Sequence, residues 1–306
     1  MNSYPKVFVI VVTYCGRQWY NKCFTSLRVS SLPVNTIVVD NTPGFEDVNY
    51  IRKKFPEIHL IKPETNLGFG RGNNLGIKYA LEHDADYIFL LNQDTWLCDS
   101  KMFDKLINVS ITHPEFGILS PLHLKSDEKT INMMLEHKTG TTSFAILVDL
   151  YKNTIKDVYS TNYINAAAWL LPRITIDIVG GFNPMFSQYG EDDDYLNRVL
   201  YHKLKVGVCP NICLVHDHQN TVLPFADNKS KYFHQLEILV RLNNINYTSI
   251  LFNQINHLIK KIFCSIITFK YVDLKIYVSD LFYVIKNFKM VRYCRYNNRM
   301  IQRSWL

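Results

Sequence analysis

The chain has 306 residues, 47% hydrophobic and 20% charged, with 19 Tyr and 18 Phe. That balance supplies a core and excludes a disordered chain, and the length suits one large domain with an appendage or two small domains. The formal charge of +7 is unevenly placed: from Tyr232 onward six Lys and five Arg face only Glu237, Asp273 and Asp280, leaving the first 231 residues close to neutral.

"KVFVIVVTY" (6–14) is a continuous β-branched run, as expected of a strand buried on both faces of a parallel sheet. "NTIVVDN" (35–41), "IHLIKP" (58–63) and "YIFLLNQD" (87–94) predict three more strands, and the segments 17–30, 46–55 and 71–83 between them predict helices. The alternation implies βαβ units in an open α/β sheet, in which ligands bind beyond the carboxyl ends of the strands. Those ends are Thr13-Tyr14, Asp40-Asn41, Pro63 to Asn66 and Asn92-Gln93-Asp94, so polar groups from separate strands converge on one crevice.

Further along, "FAILVDLY" reads as a strand and "INAAAWLLPR" (164–173) as a short buried segment. "EDDDYLNRVLYHKL" (191–204) predicts a helix, and "KVGVCPNICLVHDHQN" a last strand ending in His216 and His218. Beyond Tyr232 the pattern is helical, which divides the chain into a body of residues 1–230 and a basic helical extension of residues 231–306. Seven scattered cysteines and an opening without a secretory pattern predict reduced thiols in a cytoplasmic compartment. "CPNIC" (209–213) has a spacing that zinc sites use, but no second pair completes it.

Three segments carry candidate chemistry. Asp94 at a strand end is a hard oxygen ligand suited to Mg²⁺ or Mn²⁺, although an Asp also caps turns and helices. "NLGFGRGNNLG" (66–76) offers glycines for close backbone approach and asparagines for sugar or phosphate, ahead of a helix; its glycine spacing differs from a dinucleotide fingerprint. "GEDDDYLNRV" (190–199) places four carboxylates at a helix start, where the helix dipole favours them and keeps a general base ionised.

Taken in order, these segments resemble the inverting glycosyltransferases of family 2, whose fold is the GT-A type, over roughly Val7 to His216. "VVTYCG" is similar to the opening signature, with Cys15 where Asn is usual. "VVDNT" is similar to the second-strand motif, "NLGFGRGNNLG" to the nucleotide-side loop, "LNQD" to the metal motif and "GEDDDYLNR" to the acidic helix. The nearest branch is the rhamnosyltransferase-like and galactofuranosyltransferase-like one that builds bacterial surface polysaccharides.

The resemblance implies a UDP-, dTDP- or GDP-sugar donor, a saccharide or lipid-linked acceptor, and a divalent cation, Mg²⁺ or Mn²⁺, held by Asp94 with His216. It implies Asp192 as general base with Glu191 beside it, and a nucleotide site drawn from Thr13, Tyr14, Asp40, Asn41, Asn66, Gly70, Asn73 and Asn92. Asp194 and Arg198 fit the helix motif as supports. Trp169 is a candidate acceptor platform or a core residue. The first acid of the metal motif is replaced by Asn92, which leaves Asp94 dependent on donor phosphates and water.

Arg292, Arg295, Arg299 and Arg303 recur at helical spacing opposite apolar residues, which predicts a basic amphipathic helix on an anionic membrane surface. No apolar run is long enough to span a bilayer, so the expectation is a cytoplasmic protein, peripheral on the inner face of the plasma membrane. The near-neutral body argues against nucleic acid. The other classes weighed are a sugar-nucleotide nucleotidyltransferase, disfavoured by the single glycine in "TYCGRQWYNK", and a non-catalytic nucleotide- or carbohydrate-binding scaffold, disfavoured by the intact acidic helix.

Overall fold

Strand β1 (Val7–Thr13) has no polar side chain before its last residue, and it lies inside a sheet covered on both faces. The computed structural model describes residues 4–131, 141–217 and 229–306. In chain order β1 is followed by α1 (Arg17–Arg28), β2 (Val34–Asp40), α2 (Glu46–Lys54), β3 (His59–Ile61), α3 (Gly68–Glu82), β4 (Tyr87–Asn92) and β5 (Thr95–Leu97). Next come α4 (Met102–Thr112), β6 (Phe116–Leu124), α5 (Thr141–Tyr151), β7 (Tyr159–Thr161), β8 (Ala168–Pro172), α6 (Arg173–Val179), α7 (Glu191–Tyr201) and β9 (Lys205–His216). Three helices end the chain: α8 (Lys229–Asn243), α9 (Ile250–Ile267) and α10 (Tyr271–Arg299).

The strands form one mixed sheet in the order β3-β2-β1-β4-β8-β6-β9-β5, with β7 paired to β9. β1, β2, β3 and β4 are mutually parallel, β8 runs against β4 and β6, and β9 runs parallel to β6. The two-residue period of β1 sorts its side chains between two cores. Val7, Val9 and Val11 meet α1, α2 and α4, while Phe8 and Ile10 meet α3, α6 and α7. Parallel β1–β2 and β1–β4 pairing sets Thr13 beside Asp40 and Val12 beside Asn92, so the strand ends converge as expected.

Two sequence expectations change. "FAILVDLY" is helical, within α5, rather than a strand. All four glycines of 66–76 lie within α3 rather than in a loop ahead of it. Their role there is clearance: a Cβ on Gly76 would stand 2.5 Å from Ile10 Cγ2, so α3 settles onto β1 at a distance only hydrogen allows. Gly68, at φ +73°, opens the helix where a Cβ would strike the Ser187 carbonyl.

The terminal helices build a third core with Phe186 of the body, using Ile238, Leu242, Leu258, Val284 and Val291. The expected basic stripe is broken. Arg295 is buried and donates to the carbonyls of Leu242, Asn244 and Tyr247, and Arg303 lies beyond the end of α10, paired with Asp177. An arginine at the core-facing side of a helix satisfies backbone acceptors instead of meeting solvent. No helix among the described residues is long and apolar enough to cross a membrane.

Candidate active site

At the carboxyl ends of β1 and β2, polar side chains are locked together. The Thr13 hydroxyl donates to Asp40 Oδ1 at 2.9 Å, and the Thr42 N–H donates to the same oxygen at 3.1 Å. Lys62 Nζ donates to Asp40 Oδ2 at 2.9 Å and also to the Thr42 carbonyl. Asp40 is fully buried, with both carboxylate oxygens bonded, and shapes the rim through Lys62 and Thr42. Lys62, the cation that makes a buried carboxylate tolerable, sits one residue past a weak strand, and nothing in its local pattern singled it out.

Other members of the expected nucleotide set are also framework. Asn41 accepts from the Leu67 N–H and donates to the Gly68 carbonyl, tying β2 to the start of α3. Asn73 is buried and donates to the Phe69 carbonyl within α3, and Gly70 is buried against Phe182. Thr13, Asn41, Gly70 and Asn73 therefore offer little surface to a ligand. Tyr14 and Asn66 are exposed, Asn66 through a side chain that caps the Gly68 N–H. The Gln93 amide makes two hydrogen bonds to the Tyr14 backbone, at 2.9 and 3.0 Å, and fastens the end of β4 to the end of β1.

Beyond these ends lies a cavity of about 180 Å³ lined by Phe69, Asn92, Asn165, Ala166, Gln188, Tyr189, Glu191 and Asp192. It joins four segments distant in sequence: the start of α3, the end of β4, the turn before β8 and the start of α7 with the residues just before it. The β4 side is fixed by the Asn92 N–H bonding the Ala167 carbonyl, and the turn by Asn165 Oδ1 accepting from the Ala167 N–H. Asn92, Glu191 and Asp192 were singled out from sequence and meet here. Asn165, Gln188 and Tyr189 were not. Tyr189 holds a left-handed φ of +66°, a strain that sequence does not display.

The four consecutive acids of α7 divide into distinct environments, which answers how they coexist. Asp194 is buried against Arg198 at 3.0 Å, and the Arg198 guanidinium also donates to the carbonyls of Val179 and Gly181. Those two residues hold the loop between α6 and α7. Glu191 is also buried, and desolvation, with the charges of Asp192 and Asp193 adding to it, pushes its carboxyl up to about 8. Asp192 and Asp193 are the partly exposed pair. Asp192 Oδ2 accepts from the Tyr163 hydroxyl at 3.3 Å, and Oδ1 accepts from the Asp193 N–H at 2.9 Å.

Asp94 and His216 come together because β5 pairs antiparallel with the end of β9, and the Asp217 N–H bonds the Asp94 carbonyl at 2.9 Å. Asp94 Oδ1 and His216 Nε2 are 3.6 Å apart. Neighbouring octahedral ligands at about 2.1 Å from a cation stand about 3.0 Å apart, so the two side chains would close by about 0.6 Å to share one ion. No group of three or more His, Cys, Asp or Glu that could hold a metal ion exists among the described residues, so a cation here would take its remaining ligands from water and donor phosphates. The His123 ring meets His216 edge to face at 5.7 Å, and burial pushes it down to about 3, which keeps it neutral. His218 lies outside the described residues.

Trp169 is corrected as an acceptor platform. It is fully buried on β8, between Phe182 and Tyr195, because the alternation of that strand turns it into the core.

Against this geometry, the comparisons are consistent. The sequence model of glycosyl transferase family 2 matches residues 8–166. The low-salt glycan biosynthesis hexosyltransferase Agl10 of Haloferax volcanii is 20% identical over 254 residues, covering 79% of this chain and 80% of that protein. The dTDP-rhamnosyl transferase RfbF of Shigella flexneri is 24% identical over 221 residues, covering 71% and 70%. In structure, the mannosyltransferase PcManGT of Pyrobaculum calidifontis, solved with GDP-Man and Mn²⁺, superposes with a TM-score of 0.54 at 13% identity. That match covers 80% of this chain and 64% of that one. TarS of S. aureus, residues 1–349 with UDP-GlcNAc, gives 0.54 at 14% identity, covering 78% and 67%, whereas the chain spans 40% of the longer TarS structure. The mixed sheet with its flanking helices is the GT-A fold. With the motifs, the sheet and more than half of the chain in agreement, this protein belongs to glycosyl transferase family 2.

Proposed function

We propose that the protein is an inverting glycosyltransferase that moves a sugar from a UDP-, dTDP- or GDP-linked donor to a saccharide or lipid-linked saccharide acceptor, in glycan synthesis of the surface-polysaccharide type. The observation that carries this reading is Asp192 at the N-terminus of α7, lining a cavity that also contains Asn92 from the carboxyl end of β4. The printed activities of the hexosyltransferase and rhamnosyl transferase relatives support the reaction class. The nucleotide-sugar complexes of the solved neighbours support the donor class.

In this mechanism the acceptor hydroxyl loses its proton to Asp192 as its oxygen attacks the anomeric carbon on the face opposite the diphosphate. The bond from that carbon to the diphosphate oxygen breaks, the electron pair leaves with the diphosphate, and the configuration inverts. The Tyr163 hydroxyl and the Asp193 N–H aim the Asp192 carboxylate. Glu191, whose carboxyl burial holds at about 8, stays protonated at neutral pH and leaves the base role to its neighbour. Asp94 and His216 would hold a divalent cation, which when bound supplies positive charge for the departing diphosphate. We place the protein on the cytoplasmic face of a membrane, peripherally.

Asp192→Asn tests the assignment. Transfer is expected to fall by about 10²–10⁴-fold, with the thermal shift produced by the donor nucleotide retained. Wild-type turnover in Asp192→Asn overturns the base, and no shift with any of the three nucleotide classes overturns the donor class.

A further inference from the structure

The surface that would meet a membrane is not where the arginine spacing put it. Phe252, Ile259, Phe263 and Ile266 on α9 are all at least half exposed. At 100° per residue they fall within about 60° of one another, a continuous apolar stripe along the helix. Leu258 and Ser265, with the half-buried Leu251 and Ile255, lie on an adjoining arc and pack the helix onto its neighbours. The stripe runs into the turn to α10, where Ile267, Phe269, Tyr271 and Val272 are exposed in succession, Phe269 to 74%. A monomeric surface rarely carries so long a run of large apolar groups without a partner.

The charge around the stripe identifies the partner. Between Ile250 and Lys289 the chain carries six lysines against Asp273 and Asp280. Asp280 is buried and paired with His234 at 2.8 Å, which removes it from the surface. Lys260 and Lys270 flank the apolar groups and are exposed. A second copy of the chain would bring like charges together along this face, whereas an anionic lipid surface neutralises them while its interface accepts the phenylalanines and isoleucines.

The arm is also anchored for this use. Asn298 near the end of α10 donates to Asp194 of α7, and Arg295 holds the end of α8. The α9–α10 turn therefore stands at the far end of a helix about 43 Å long. We propose that the α9–α10 hairpin is an interfacial docking arm for an anionic lipid bilayer, with the 252–266 stripe and the 267–272 turn as the inserted part. This deepens the peripheral-membrane reading and rests on it.

Co-sedimentation of the full chain with phosphatidylcholine vesicles, with and without phosphatidylglycerol, tests the proposal. The wild type is expected to bind the anionic vesicles. The exposed-site variants Phe263→Ser/Ile266→Ser and Lys270→Glu/Lys275→Glu, checked for native circular dichroism, are expected to bind at least tenfold more weakly. Arg292→Gln/Arg299→Gln is expected to bind within about twofold of wild type. Wild-type binding that survives both hairpin variants overturns the arm while leaving the peripheral-membrane reading standing. Absence of wild-type binding to any vesicle overturns that reading and the arm with it. Light scattering that shows a dimer broken by Phe263→Ser/Ile266→Ser, with vesicle binding unchanged, assigns the stripe to a second copy and overturns the arm.

Discussion

The Asn74 side chain grips the backbone of Phe182, 108 residues later, at both of its polar groups: Oδ1 accepts from the Phe182 N–H at 2.7 Å, and Nδ2 donates to the Phe182 carbonyl at 2.8 Å. It acts as a one-residue strand partner for the segment that leads to Glu191. Asn74→Ala takes the Asn74 bond from both Phe182 backbone groups and from the Trp305 carbonyl, at about 1–3 kcal/mol for each group left buried without a partner. The expected outcome is a loss of about 2 kcal/mol or more in urea unfolding, with faster proteolysis of the 181–190 segment. Wild-type stability in this variant refutes the brace.

Gly76→Ala offers a sharper contest of effects. Alanine favours the helix by about 1 kcal/mol, but its Cβ would stand 2.5 Å from Ile10 Cγ2 in a filled core. Overpacking of this kind costs about 1–3 kcal/mol. The net expectation is destabilisation, read as a lower urea midpoint at unchanged slope. A midpoint at or above wild type means that α3 moves off β1 freely.

Glu191 sets a pH dependence whose sign can be worked out. Its folded value of about 8 lies above the ordinary 4.5. Between those values the unfolded chain has released the proton and the folded chain has kept it, so stability falls as pH rises through the window. Below the window both states are protonated and the effect vanishes. Glu191→Gln keeps a neutral group in place and removes the fall, by up to about 5 kcal/mol at the upper end. Melting curves across pH check it: equal slopes for the two proteins show that Glu191 is ionised when folded.

The Asp94–His216 pair predicts a cation site completed by the donor. Calorimetry with Mn²⁺ is expected to show weak binding to the protein alone and tighter binding once a nucleoside diphosphate is present. Asp94→Asn or His216→Ala is expected to weaken the second by at least about tenfold, or 1.4 kcal/mol. Chelation should return the nucleotide-bound wild type to the stability of either variant. Equal Mn²⁺ affinity with and without nucleotide refutes the shared site.

The parallel half of the sheet was plain in the sequence because β1 and β4 are buried on both faces and read as unbroken apolar runs, and β2 carries the buried Ile37-Val38-Val39 ahead of Asp40. The α5 segment misled because an apolar octet has no period that separates helix from strand. Site residues named from motifs proved of two kinds. Asp192 and Asn92 reach the cavity, whereas Asp40, Asn41 and Asn73 serve the frame that presents it. A motif records both kinds alike, since loss of either damages the site. Lys62, His123 and Asn165 escaped notice because their importance lies in partners contributed by other strands.

The Trp19 indole, near the start of α1, donates to Asp217 Oδ2 at 3.1 Å across 198 residues of chain. That bond joins the first helix to the residue just after His216, so it closes only when β9 has docked and β5 has paired with it. Loop-closure entropy must be overcome before so distant a contact gives any return, which sets it late in folding. In a variant with Trp96, Trp169 and Trp305 replaced by Phe, the emission of Trp19 serves as a clock: its final change on refolding marks the moment at which Asp94 and His216 face each other.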